Sequence, residues 1–157
     1  MSIFYRIVIA AALLVFSGHF TFTGAAMMDA PAGYYTDQKV VYHNDGNAGD
    51  AAAYFKRMLN SINNHIAAVG QDHVEIRVVS HANGVELFQF ANTNKELATF
   101  LDGLRAKKVR FLICGNTLRE RNIDWKTLYG VQEDDIVPSG VAELARLQGM
   151  GFAYIHL

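Results

Sequence analysis

The chain has 157 residues, 51% of them hydrophobic, and an ordinary domain spans about 100 to 150 residues, so one compact domain is expected. Its 14 Lys and Arg against 15 Asp and Glu give a formal net charge of -1. Phosphate binding relies on a basic excess, so this balance speaks against nucleic acid as a partner.

The first 26 residues differ from the rest. Arg6 precedes an uninterrupted apolar run from Ile7 to Phe16, and the small residues Gly24, Ala25 and Ala26 follow a short polar stretch. These are the parts of a secretory signal peptide over residues 1–26, with cleavage after Ala25 or Ala26. A periplasmic or secreted protein without stable membrane anchoring after cleavage is therefore expected. The competing reading is a retained anchor from Ile3 to Met28. A spanning helix needs about 20 predominantly apolar residues, and Ser17, Gly18 and His19 break this run. Residues 27–37 read as a loose leader. The single cysteine, Cys114, cannot form an intramolecular disulfide, so the core alone must hold the fold.

From residue 38 to the end the sequence alternates between strand and helix periods, the pattern of βα units around a mostly parallel sheet. Lys39 to His43 is a short β-branched and aromatic run, ended by the turn formers Asn44, Asp45 and Gly46. Asp50 is placed to cap a helix in which Ala52, Phe55, Met58, Leu59, Ile62, Ile66 and Val69 recur at helical spacing before Gly70. His73 to Ser80 reads as a second strand, closed by His81, Ala82, Asn83 and Gly84. Val85 to Phe90 fits either a short helix or an edge segment.

Thr93 and Glu96 have capping-box spacing, with Leu97, Phe100, Leu101 and Leu104 as the apolar stripe of a second long helix. Val109 to Cys114 is a third strand, apolar enough to be covered on both faces. Thr117 to Arg121 suggests one or two helical turns, and Asp124 can cap another. Ile136 and Val137 form a brief strand. Ser139 caps a helix carrying Val141, Leu144 and Leu147, and Phe152 to Leu157 closes the chain as a strand.

Ligands of open α/β sheets bind beyond the carboxyl ends of the strands, where the loops and helix N-termini gather. Three polar clusters are expected at that edge: His43-Asn44-Asp45, His81-Ala82-Asn83 and Cys114-Gly115-Asn116. A thiol at a helix start meets free N–H groups that favour the nucleophilic thiolate, and Arg119 and Arg121 follow closely enough to strengthen the positive field. The alternative for Cys114 is an inert core cysteine behind Phe111, Leu112 and Ile113.

No histidine pair has a tight metal-ligand spacing, and His43 and His81 could converge only through the fold, so no metal or cofactor is assigned. His65 and His73 read as solvent-facing, and His156 as a residue near the C-terminus. Asp45 and Asp50 read as turn and cap residues. Asn44 to Gly49 has turn composition rather than the spacing of a phosphate cradle. Nucleophile-elbow, phosphate-loop and dinucleotide-turn motifs do not occur.

The segments VRFLICGNTLRERNI (109–123) and DIVPSGVAELARLQGMGFAYIHL (135–157) resemble the DsrE/DsrF-like family of small α/β sulfur-relay proteins, and the resemblance runs from about Lys39 to the end. It implies a three-layer α/β sandwich with a mostly parallel sheet of about five strands over residues 38–157. It also implies a homo-oligomer, trimer or hexamer, and a sulfur donor or acceptor protein as partner. In the family's sulfur-transferring members the cysteine after this strand accepts sulfur as a persulfide, which assigns the acceptor role here to Cys114. Asn116, Arg121, His43 and His81 are the candidate binding residues around it. The reading from a different class is a non-catalytic oligomeric binding module with an inert, buried Cys114.

Overall fold

The computed structural model describes residues 31, 33–46 and 49–157; the expected signal peptide and part of the expected leader lie outside them. Five strands form one sheet in the order β4-β3-β2-β1-β5. They are β1 (Gln38–Asn44), β2 (Val74–Ser80), β3 (Arg110–Cys114), β4 (Ile136–Val137) and β5 (Ala153–His156). Every pairing between them is parallel.

Alternation along the three central strands sorts their side chains onto two cores. Val40 and Tyr42, Ile76 and Val78, and Phe111 and Ile113 join the larger cluster with Phe55, Leu59, Ile62, Leu97 and Leu101. These last five come from α1 (Ala51–Val69) and α3 (Lys95–Ala106), which cover that face. Val41, Val79 and Leu112 point the other way, onto Leu144 and Leu147 of α5 (Gly140–Gly149) and onto Phe152. Helices on both faces of a parallel sheet make the expected three layers. Each fully buried Leu or Phe of these cores contributes about 1.5–3 kcal/mol relative to exposure.

Local chemistry sets the helix boundaries. The Asp50 carboxylate accepts the Ala53 N–H at 3.0 Å, and the Ser139 hydroxyl caps α5 through the Ala142 N–H. In α3 the cap is Asn94, whose side chain accepts from the N–H groups of Glu96 and Leu97. Thr93, expected in that role, turns its hydroxyl back to the Phe90 carbonyl. The shift has a simple cause: Glu86–Phe90 is helical (α2), and the chain is still turning through residues 91–93 when Thr93 is reached. The segment left open between helix and edge strand is thus helix. After β3 the chain enters α4 (Gly115–Glu120) at once, two residues earlier than Thr117.

His65 is half-buried rather than solvent-facing. Its Nδ1 lies 2.8 Å from the Tyr42 hydroxyl and its Nε2 2.7 Å from Gln38 Oε1, which pins α1 to β1. Among the described residues, no helix is long and apolar enough to cross a membrane.

Candidate functional site at the carboxyl edge of the sheet

The residues that follow Val41, Val79 and Leu112 by two positions are His43, His81 and Cys114. By alternation all three emerge on the α5 side of the sheet, at its carboxyl edge. Gly140, the first residue of α5, lies against two of them. A Cβ built there would sit 3.1 Å from the β-carbons of both Cys114 and His81, so the thiol and the imidazole flank the glycine. The three clusters expected from the sequence therefore gather at one edge.

Cys114 is 4% exposed. Burial raises the pKa of its thiol, but the N–H groups of Gly140, Thr117 and Asn116 and the Thr117 hydroxyl outweigh burial, and the net shift is downward. Donors near a sulfur favour the charged form, although the Cys114 side chain makes no capping hydrogen bond to the first turn of α4. The Thr117 hydroxyl also accepts the Ala82 N–H at 3.0 Å, tying the loop after β2 to the thiol's surroundings. Asn116 thus contributes its backbone, while its side chain accepts a hydrogen bond from Arg119.

Arg121 is held elsewhere: its guanidinium donates to Asn83 Oδ1 at 2.7 Å and pairs with Glu86 at 3.3 Å. It braces the loop that carries His81. Asn44, fully buried, donates its side-chain amide to Ser80 Oγ and to the Gly84 carbonyl, and its own carbonyl accepts the His81 N–H. This network fixes the ends of β1 and β2 against each other.

The histidines form a second group beside the thiol. His43 Nε2 lies 2.6 Å from His81 Nε2, the rings stack at 4.7 Å, and His43 Nδ1 meets the Tyr154 hydroxyl at 2.6 Å. His156, paired in register with His43 across β5 and β1, places Nε2 3.0 Å from Asp45 Oδ1. Burial lowers the pKa of His43; the neighbouring His81 and His156 add to this and Asp45 opposes it. Burial likewise lowers that of His81, with Asp45 opposing and His156 reinforcing. For Asp45 burial acts upward, but its bond to His156 and the charges of His156 and His43 win, and its pKa is lowered.

His156, Asp45, Tyr154, Thr117 and Gly140 were not singled out as site residues by the sequence. The available signal was slight: Tyr154 and His156 alternate on a strand, and Thr117 stands three residues after the cysteine. A broad concavity lies at the opposite, amino edge, lined by Lys39, Arg77, Lys108 and Arg110 together with Asp37 and Glu75. The connections gathered there run from helix C-termini into strands, whereas helix N-termini meet at the carboxyl edge, and we place the candidate site at the latter.

A thiol at the start of a short helix, on the carboxyl edge of a parallel three-layer sandwich, makes this a small α/β protein with a candidate single-cysteine site. The chain belongs to the DsrE/DsrF-like family, whose model matches residues 38–157. It is also similar to a solved structure, that of the protein of unknown function MTH1491 from Methanobacterium thermoautotrophicum. The two share 29% identity over 77% of this chain and 100% of that one, with a TM-score of 0.64. No curated protein matches the chain.

Proposed function

We propose that this protein is an exported sulfur carrier that accepts sulfane sulfur on Cys114. The observation that carries the reading is the thiol at the start of α4 and against Gly140 of α5, where the N–H groups of Gly140, Thr117 and Asn116 lower its pKa against burial, in a chain of the DsrE/DsrF-like family. The Cys114 thiolate attacks the outer sulfur of a donor persulfide or of thiosulfate. A new S–S bond forms at Cys114 while the donor's S–S bond breaks, and the donor leaves as thiolate or sulfite with the electron pair. The same N–H groups stabilise the resulting perthiolate. An acceptor thiolate then takes the outer sulfur and Cys114 departs as thiolate.

His43 and His81 line the approach to the thiol, Asn116 supplies an N–H, and Arg121 holds the loop of His81 in place. Signal-peptide residues 1–26 direct the chain to the periplasm or outside the cell. The chain assembles as a trimer or hexamer in this reading; association is favoured by the exposed apolar residues Val141 on α5, Met150 just after it, Tyr154 on β5 and Leu157 just after that strand.

A second reading is favoured by the 4% exposure of Cys114. Here the thiol is inert and the polar edge binds a ligand or a partner. The alkylation rate of the native protein against pH separates the two. A carrier reacts while folded, with a midpoint below that of an ordinary thiol, about 8.5. A thiol that reacts only after denaturation refutes the carrier and leaves the binding module.

A further inference from the structure

Beside the thiol stands a set of side chains that form no bond to sulfur in the proposed transfer, although one of them, His43, also lines the approach to the thiol. His43, Asp45 and His156 each offer one ligand atom, and the three atoms lie within 4.8 Å of one another. Two of the residues are fixed by the sheet, because His43 and His156 are direct partners across β1 and β5. The third follows β1 by one residue. Donors on neighbouring strands at one edge are held more firmly than donors on loops, as a preorganised metal site requires.

We propose that His43, Asp45 and His156 bind a borderline divalent transition-metal ion, Zn²⁺ being the representative, with water or an exchangeable ligand in the fourth position. Two imidazoles and a carboxylate are a donor set that Zn²⁺ accepts, with bonds of about 2.0–2.2 Å in tetrahedral geometry. The edge of such a tetrahedron is about 3.3 Å. The Nε2 of His156 and the Oδ1 of Asp45 are already 3.0 Å apart. His43 Nδ1 is engaged by the Tyr154 hydroxyl at 2.6 Å, which leaves Nε2 as the ligating atom. The nitrogen facing it, His81 Nε2, is 2.6 Å away, closer than two ligands of one ion sit. A metal entering there replaces this contact and displaces the His81 ring. Tyr154 then acts as the outer partner that orients a ligating imidazole, the usual companion of metal-bound histidine. Calcium and magnesium are disfavoured, since they take sets of six or more oxygen ligands or keep several waters.

The test is titration of the full-length, chelator-treated protein with Zn²⁺ against a chromophoric competitor, followed by Co²⁺ spectroscopy. The expected result is one ion per chain and visible Co²⁺ bands of tetrahedral intensity, without a thiolate-to-cobalt charge-transfer band. Tyr154→Phe should weaken Zn²⁺ binding about 10–100-fold, and His156→Ala or Asp45→Asn by more. The His156 and Asp45 side chains are 44% and 37% exposed, so their replacement leaves the fold intact, checked by circular dichroism. Cys114→Ser should bind as the wild type does. Absence of stoichiometric binding, binding unchanged in the His156 and Asp45 variants, or a charge-transfer band lost in Cys114→Ser would each overturn the proposal. The Cys114 control keeps this outcome separate from that of the sulfur-carrier reading.

Discussion

Thr117→Val isolates the hydrogen bonds that tune the thiol. Thr117 is 5% exposed, its hydroxyl accepts the Ala82 N–H at 3.0 Å, and the same hydroxyl helps lower the Cys114 pKa. Valine keeps nearly the same volume, so no cavity opens, but the Ala82 N–H loses its acceptor. An unsatisfied buried donor costs about 1–3 kcal/mol, and that range is the expected loss in urea unfolding. The thiol simultaneously loses an O–H donor, so the midpoint of its alkylation profile should move to higher pH. Thr117→Ser is the control. It keeps the hydroxyl and removes one methyl, worth about 0.8 kcal/mol, and should leave the alkylation midpoint in place. An unchanged midpoint in the valine variant, or an equal shift in both variants, would refute the view that side-chain and backbone donors hold the thiolate.

Further outcomes follow from the same geometry. A Cβ at Gly84 would lie 2.0 Å from the Asn44 carbonyl oxygen, a backbone atom that must shift by more than an ångström. Gly84→Ala should therefore destabilise by about 3 kcal/mol, the upper part of the overpacking range, seen as a lower urea midpoint at unchanged slope. Because the folded protein lowers the pKa of Cys114, the thiolate contributes stability. That contribution is fully present above the unfolded thiol value, about 8.5, and is lost as pH falls through the folded pKa. The stability difference between wild type and Cys114→Ala should grow as pH rises from neutral toward 9; a flat difference contradicts the downward shift. Arg121→Gln removes partly exposed contacts to Asn83 and Glu86. It should cost no more than about 1 kcal/mol and leave the alkylation profile in place, whereas a shifted profile would give Arg121 a direct part at the thiol.

The strands and long helices were legible because their signals are local. Val40 and Val41, Val78 and Val79, and Phe111 to Ile113 form runs that suit strands buried on both faces, and the heptad-like spacing from Phe55 to Ile66 marks the covering helix. The turn at Cys114 and the convergence of His43, His81 and Cys114 on one edge followed from parallel βα logic alone. What escaped was set by partners distant in sequence. His156 belongs with His43 because β5 lies beside β1 rather than beside β4, and no property of residues 152–157 in isolation states that order. His65 looked like a surface residue until Tyr42 and Gln38 were brought to it by the packing of α1 on β1. Gly140 reads as the start of a helix, while its role, an N–H facing a sulfur 26 positions earlier, exists only in the folded chain.

Acceptance of sulfur by Cys114 is read most directly from the intact mass of the native protein after incubation with polysulfide or thiosulfate and removal of excess donor. A sulfur carrier gains one sulfur atom per chain, reversed by a thiol reductant and absent in Cys114→Ser. A native protein whose mass stays unchanged, or one that gains the same sulfur in the serine variant, contradicts acceptance at Cys114.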